Sequence, residues 1–278
     1  ATSTATAGAG GNLDLTVLQF ALTLEHLEDV FYQGALQNFT LQDFNNAGYS
    51  QDYYHNLKYI AYDEQTHVQV LETLIKAAGG TPNAPCTYDF PYTNVKSFIT
   101  LSGILENVGT SAYLGAAPLI TGADYLTDAG AILAVEALHT SYQRAAIGEV
   151  PNANPFQTPL DPTSAYTLAS MFIVSCPKGN TKLPGGWPNP GNNNAAAPVQ
   201  QGATITLTSA AKIPAGSYVT FISGLTVTSV KGNVNGKSIS VKIPTGLSGQ
   251  SYAFVTNQDV EGTFNDKAVI AGPAVVEV

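Results

Sequence analysis

Apolar residues recur at intervals of three and four over four long stretches of this chain. From Asn12 to about Asn38, residues Leu15, Leu18, Ala21, Leu22, Leu24 and Leu27 follow that spacing, which predicts an amphipathic helix. Asn45, Asn46 and Gly48 then predict a loop. Ser50 suits the N-cap of a second helix running to Ala78, and Gly79-Gly80 stops it. Residues 81–92 carry Pro82, Pro85 and Pro91 and cannot be helical. At roughly 3.3 Å per residue such a stretch spans about 40 Å, enough to return along the length of a helical bundle. A third helix is predicted from about Asn94 to Ala117, ending at Pro118, and a fourth from about Thr121 to Gly148. Asp161-Pro162 supplies a cap and a first-turn proline for a short fifth helix reaching about Val174, expected to cover one end of the bundle.

After this the pattern changes. Pro177 to Pro198 is rich in Pro, Gly and Asn and reads as a linker. From Gln200 the period is two: Thr204–Thr208, Ser217–Ser223, Leu225–Val230, Ser238–Ile243 and Ser251–Thr256 read as strands, with Asn235-Gly236 as a hairpin turn. About seven short strands in this space predict a small immunoglobulin-like sandwich. The expected organisation is a flexible tail at 1–11, a helical bundle with its short fifth helix at 12–178, a linker at 179–199 and an all-β domain at 200–278. The fold class is α+β in two domains.

Composition narrows the setting. Charged residues are only 11% of the 278 and hydrophobic ones 44%, so Asn, Gln, Ser, Thr and Tyr must solvate the surface, which suits an extracellular protein. A net charge of -9 argues against nucleic acid and against anionic membranes as partners. No apolar run is long enough to span a bilayer. The small-residue stretch from Ala1 to Gly11, without an initiator Met, looks like a mature end left by signal-peptide removal, although a cut chain would look the same. Cys86 and Cys176 would form a disulfide in an oxidising compartment, and two cysteines allow one intramolecular pairing. Asn38-Phe39-Thr40 is a glycosylation sequon where the first helix should end.

The chemistry sits in two repeated pairs, Glu64-Gln65-Thr66-His67 and Glu136-Ala137-Leu138-His139. On a helix, Glu-x-x-His puts carboxylate and imidazole on one face. Each pair is preceded by a helical segment with a central glutamate, Glu25 and Glu106. That alternation is the ligand set of carboxylate-bridged dimetal four-helix bundles. Oxygen-rich ligation with a few nitrogens suits iron or manganese, and zinc can also occupy such sites, so two transition-metal ions are the implied cofactor. The apolar neighbours of Glu106 (Ile104, Leu105, Val108) and of Glu136 (Leu133, Val135, Leu138) do not suit a solvated face. Tyr32 follows Glu25 by seven residues and Tyr113 follows Glu106 by seven, two turns along the same face. Each tyrosine could donate to a ligating carboxylate across the bundle, or simply fill the core. On the first helix Glu25 is preferred because its spacing to Tyr32 mirrors Glu106 to Tyr113. Glu28, one turn on, remains an alternative ligand or an acceptor behind the ligands. His26 is expected to be exposed or capping, His55 to have no ligand role, and the faces of Asp63 and Arg144 stay open.

With these residues in place, 12–148 resembles the ferritin-like superfamily that includes bacterioferritin and rubrerythrin. The stretches Leu18–Tyr32 and Ala61–Leu71 look more specifically like secreted fungal ferritin-like proteins described as stress-response or desiccation-related. The resemblance implies ligands at Glu25, Glu64, His67, Glu106, Glu136 and His139, and the rubredoxin-type cysteines of rubrerythrin are absent. Two functions compete. One is a secreted dimetal oxidase, peroxidase or catalase-like oxidoreductase acting on peroxide or dioxygen in stress protection. The other is a non-enzymatic metal-binding or structural stress protein, with the β domain making cell-wall contacts or homo-oligomers. A storage cage is less compatible with a β domain on every subunit.

Overall fold

The computed structural model of the chain describes residues 9–183 and 198–278, and these divide into two compact units. The expected tail lies outside the described residues except at 9–11, which are helical; the expected linker lies outside them at 184–197.

The first unit covers the chain up to Glu149 and again from Phe172 to Leu183. Its long helices are α1 (Ala9–Asn38), α3 (Gln51–Ala77), α4 (Val95–Ala116) and α5 (Ala123–Ala146). The Ser50 and Asn94 side chains cap α3 and α4 by accepting from the amides of Tyr53 and Ser97. Between α1 and α3 the structure places a further helix, α2 (Leu41–Ala47), where a loop was expected. Thr40 and Asp43 close a reciprocal capping box at its start, and Gly48 ends it in the left-handed conformation at φ 97°. Its Phe44 is fully buried among Tyr53, Tyr54 and Phe98, so tertiary packing offsets the weak helix propensity of Asn45 and Asn46.

Contacts fix the directions. Leu18 and Leu22 share a core cluster with Leu71 and Ile75, whereas Gln33 reaches back to the Ala61 carbonyl, so α1 and α3 are antiparallel. Tyr32 meets Glu106 and Glu25 meets Tyr113, so α1 and α4 are antiparallel too. The consecutive helices α3 and α4 therefore run the same way, and the chain between them must travel the length of the bundle. Asn83 ties this crossover down. Its amide donates to Gln19 at 2.9 Å, its side chain donates to Thr23 at 3.2 Å, and its carbonyl accepts from His26 at 2.9 Å. His26 is thus buried and bonded, not exposed or capping as expected.

The crossover contributes β1 (Thr87–Tyr88), which pairs antiparallel with β2 (Ile173–Ser175). A disulfide joins Cys86 to Cys176 beside this ladder, with Cα atoms 4.2 Å apart. Residues 180 and 181, expected to belong to the linker, also hold the crossover: Asn180 exchanges two hydrogen bonds with Ala84, and the Thr181 amide donates to Asn83.

The second unit comprises Val150–Met171 and the chain after Pro184. It contains α6 (Pro162–Ala169), capped by Asp161, and the strands β3 (Thr204–Thr208), β4 (Tyr218–Ser223), β5 (Thr226–Lys231), β6 (Asn233–Asn235), β7 (Ser238–Lys242), β8 (Gln250–Thr256) and β9 (Val269–Glu277). The sheets run β3-β7-β6 and β5-β4-β8-β9, all antiparallel, as expected of an immunoglobulin-like sandwich. Ile205, Leu207, Ile239 and Val241 from one sheet share a core with Val219, Phe221, Ala253 and Val255 from the other.

The short helix departs from expectation. It ends at Ala169, and its segment groups with the strands instead of the bundle: α6 packs on β9, the Thr158 hydroxyl accepts from the Gly224 amide at 2.7 Å, and Asn154 donates to Ser223. Val174 is in β2. Among the described residues, no helix is long and apolar enough to cross a membrane.

Candidate metal centre

Six side chains from the four long helices converge halfway along the bundle. Glu25 comes from α1, Glu64 and His67 from α3, Glu106 from α4, and Glu136 and His139 from α5. The four carboxylates are fully buried and the imidazoles nearly so. They form two donor groups, Glu25–Glu64–His67–Glu136 and Glu64–Glu106–Glu136–His139, each able to hold a metal ion. Glu64 and Glu136 belong to both.

The distances fit that use. His67 Nδ1 lies 3.2 Å from Glu25 Oε2, 3.3 Å from Glu136 Oε1 and 3.5 Å from Glu64 Oε2. His139 Nδ1 lies 2.8 Å from Glu64 Oε1 and 3.5 Å from Glu106 Oε2. Donors held about 2.1 Å from a shared ion at right angles are roughly 3.0 Å apart. Both Glu64 oxygens, both Glu136 oxygens, Glu106 Oε2 and His139 Nδ1 are buried without a hydrogen bond of proper direction. Atoms that are close but not aimed at one another are what a common cation between them would require, and leaving them without one costs several kcal/mol per charge.

Electrostatics point the same way. Burial, and then the charge of Glu106, pushes the Glu64 carboxyl up to about 7. Burial and neighbouring glutamates likewise hold Glu136 and Glu28 well above the usual carboxylate range. Burial alone would depress both histidines, but the surrounding carboxylates outweigh it: His67 is raised strongly and His139 is held at about 12. The cluster thus retains protons in place of the cations its donors suit.

The groups behind the donors are specific. Tyr113 donates to Glu25 Oε1 at 2.5 Å, and Tyr32 donates to Glu106 Oε1, each across the bundle. Gln143, fully buried and one turn beyond His139, donates from Nε2 to the Tyr32 hydroxyl at 3.1 Å and accepts from Tyr53 at 2.5 Å. The run of donors from Tyr53 through Gln143 to Tyr32 leaves the Tyr32 proton nowhere to point but Glu106. His139 Nε2 donates to Asp63 at 3.2 Å, which turns Nδ1 inward as a ligand.

Glu28 lies inside this cluster, buried, with Oε2 unpartnered, yet it is in neither donor group. Gly109 makes room for it: a Cβ there would stand 2.8 Å from Glu28 Oε1 and 2.9 Å from Glu136 Oε2. His55 is exposed. Asn38 is exposed at the end of α1, and the Thr40 hydroxyl of its sequon is engaged in the α2 cap. Gly109, Gln143 and Tyr53 were not foreseen. Gly109 stands three residues after Glu106 as Glu28 stands three after Glu25, and Gln143 lies four after His139. Those spacings were visible, but only packing gives them meaning.

Residues 13–149 match the family model described as a ferritin-like domain. Protein rds1 from Schizosaccharomyces pombe is 27% identical over 179 residues, which cover 62% of this chain. The match spans 42% of that relative, so less than half of its length is represented here. Among solved structures, the conserved hypothetical protein rv2844 from Mycobacterium tuberculosis overlaps 53% of this chain and 99% of its own, with a TM-score of 0.44 and 18% identity. That likeness is too loose to add to the assignment. The family match and the fungal relative support a ferritin-like superfamily assignment for the helical region of this chain.

Proposed function

We propose that the chain is a secreted dimetal-carboxylate protein with redox activity on peroxide or dioxygen, linked to stress protection. The observation that carries this reading is the pair of overlapping donor groups that share Glu64 and Glu136. On it, Glu25, Glu64, His67 and Glu136 would hold one transition-metal ion, and Glu64, Glu106, Glu136 and His139 would hold a second. Iron or manganese suits this oxygen-rich set, and zinc would fill it without redox activity. Bound redox metals would supply electrons and open coordination positions for a small oxidant.

The protein's own contribution is positioning and proton control. Tyr32 and Tyr113 each hold one oxygen of a terminal carboxylate by hydrogen bonding, which leaves the other oxygen of Glu106 and of Glu25 facing the cluster. Asp63 fixes the His139 ring by accepting from Nε2. Glu28, buried near Glu136 with Oε2 unpartnered, serves as an added carboxylate ligand or a buried proton carrier. The Cys86–Cys176 disulfide supports an oxidising location.

The test compares consumption of hydrogen peroxide and dioxygen by iron- or manganese-loaded protein with that by the free metal. Loaded wild type should exceed the free ion, and the His67→Ala, His139→Ala double variant should lose the excess while remaining folded. Equal inactivity of both proteins with both metals and both oxidants would leave metal binding without catalysis as the function.

A further inference from the structure

The two tyrosines of the centre meet different surroundings. Tyr32 packs on Phe31 and Phe98 and is held by Gln143, so its environment is filled. Tyr113, its counterpart on α4, instead forms one wall of a cavity of about 30 Å³ among α1, α3, α4 and α5. Leu18, Ala21, Leu24, Leu71, Ala112 and Ala116 form much of the remaining wall. All are buried, and half-buried Leu74, Tyr125, Asp128 and Ala129 are among the residues that complete the lining.

This volume exceeds what one water needs, but a buried water also needs two to four polar partners. Two of the polar groups at the wall are engaged elsewhere, and the others, Asp128 and Tyr125, are half-buried. The Tyr113 hydroxyl donates to Glu25, and the Asp14 carboxylate accepts from the Thr121 amide and hydroxyl and from the Gly122 amide at 2.6, 2.7 and 3.1 Å. With most of its wall apolar, the cavity favours a small guest that asks for no hydrogen bond. Its position matters because the Tyr113 ring stands between it and Glu25, a member of the first donor group.

We infer that this cavity is a binding site for a small apolar molecule of the dioxygen class, one side chain away from the centre. Its relevance to the reaction rests on the dimetal reading above; its occupancy does not. Peroxide, which needs several hydrogen-bond partners, is disfavoured there.

The test uses xenon and pressurised dioxygen on the full chain without metal, read by methyl NMR. Methyl resonances of Leu18, Leu24 and Leu71 should shift with xenon and relax faster with dioxygen, while those of Ile205 and Ile239 in the β unit should not. Ala21→Leu, which fills the void, should abolish the response, and Leu24→Ala, which enlarges it, should strengthen the xenon response. Ala116→Val serves as the filling variant if Ala21→Leu does not fold. A silent wild type, or a filled variant that responds as wild type does, overturns the site. Xenon binding in a chain that takes up no metal would support the cavity and contradict only the dimetal reading, and metal uptake without xenon binding would do the reverse.

Discussion

Glu28 and Gly109 occupy corresponding positions on α1 and α4, three residues beyond Glu25 and Glu106, and the carboxylate of one fills the space left by the missing side chain of the other. The two halves of the centre are related by their ligands and tyrosines, and this pair breaks the symmetry. A buried acid is added on one side only.

Gly109→Ala should therefore be far costlier than an ordinary helical Gly→Ala change, which favours the helix. The added Cβ, 2.8 Å from Glu28 Oε1, must displace that carboxylate or Glu136. We expect a loss of about 1–3 kcal/mol in metal-free stability and weakened metal uptake. Adding Glu28→Ala should recover much of both, and thermal melts with metal analysis on the single and double variants check this. Strict additivity would contradict the shared space.

The hydrogen-bonded run from Tyr53 to Glu106 predicts coupling. Tyr32→Phe removes the donor to Glu106 and leaves a Gln143 N–H without its acceptor, and Gln143→Leu strands the Tyr53 hydroxyl. Each should cost roughly 1–3 kcal/mol. Together they should cost less than the sum, with a coupling of about 0.5–3 kcal/mol in a double-mutant cycle by denaturant unfolding. A coupling near zero would mean the contacts act independently.

The metal-free protein should lose stability as pH rises. Glu64 is raised from its ordinary 4.5 to about 7, chiefly by burial, and His139 from 6.5 to about 12 by carboxylates that outweigh its burial. In both cases the folded chain keeps a proton that the unfolded chain gives up. The contribution is complete below pH 4.5 for Glu64 and below 6.5 for His139, and it is lost as pH climbs through the folded values. Melting temperature after chelation should fall from about pH 5 to about pH 8. Metal displaces these protons, so uptake should strengthen with pH and release acid. A metal-free melting temperature that rises over that range would contradict the charge arrangement.

Cys86→Ser should destabilise the chain by about 4 kcal/mol, given a closed loop of 90 residues. Intact-mass analysis of unreduced wild type should find no free thiol. Detection of two would contradict the bond.

Much of this was legible in the chain. Four helical stretches, the proline-bearing return and the two Glu-x-x-His pairs follow from periodicity and spacing alone, because a helix maps spacing onto a face. The strands followed from a period of two and the Asn-Gly turn. What escaped depended on partners distant in sequence. The Thr40–Asp43 box was masked by Asn45, Asn46 and Gly48, and only the burial of Phe44 makes α2 worth forming. His26 looked like a surface residue because its acceptor, the Asn83 carbonyl, lies 57 positions away. The short helix α6 carried a sound start signal, but nothing local says that Thr158 will meet the turn at Gly224.

The most direct measurement of the central claim is the metal count per chain, by native mass spectrometry after loading with iron or manganese. Wild type should hold about two ions. Glu25→Ala, which touches one donor group, should weaken one ion and spare the other, whereas Glu64→Ala, which touches both, should lose both. A wild type that holds fewer than two ions, or a Glu64→Ala variant that keeps two, would contradict a centre built on shared Glu64 and Glu136.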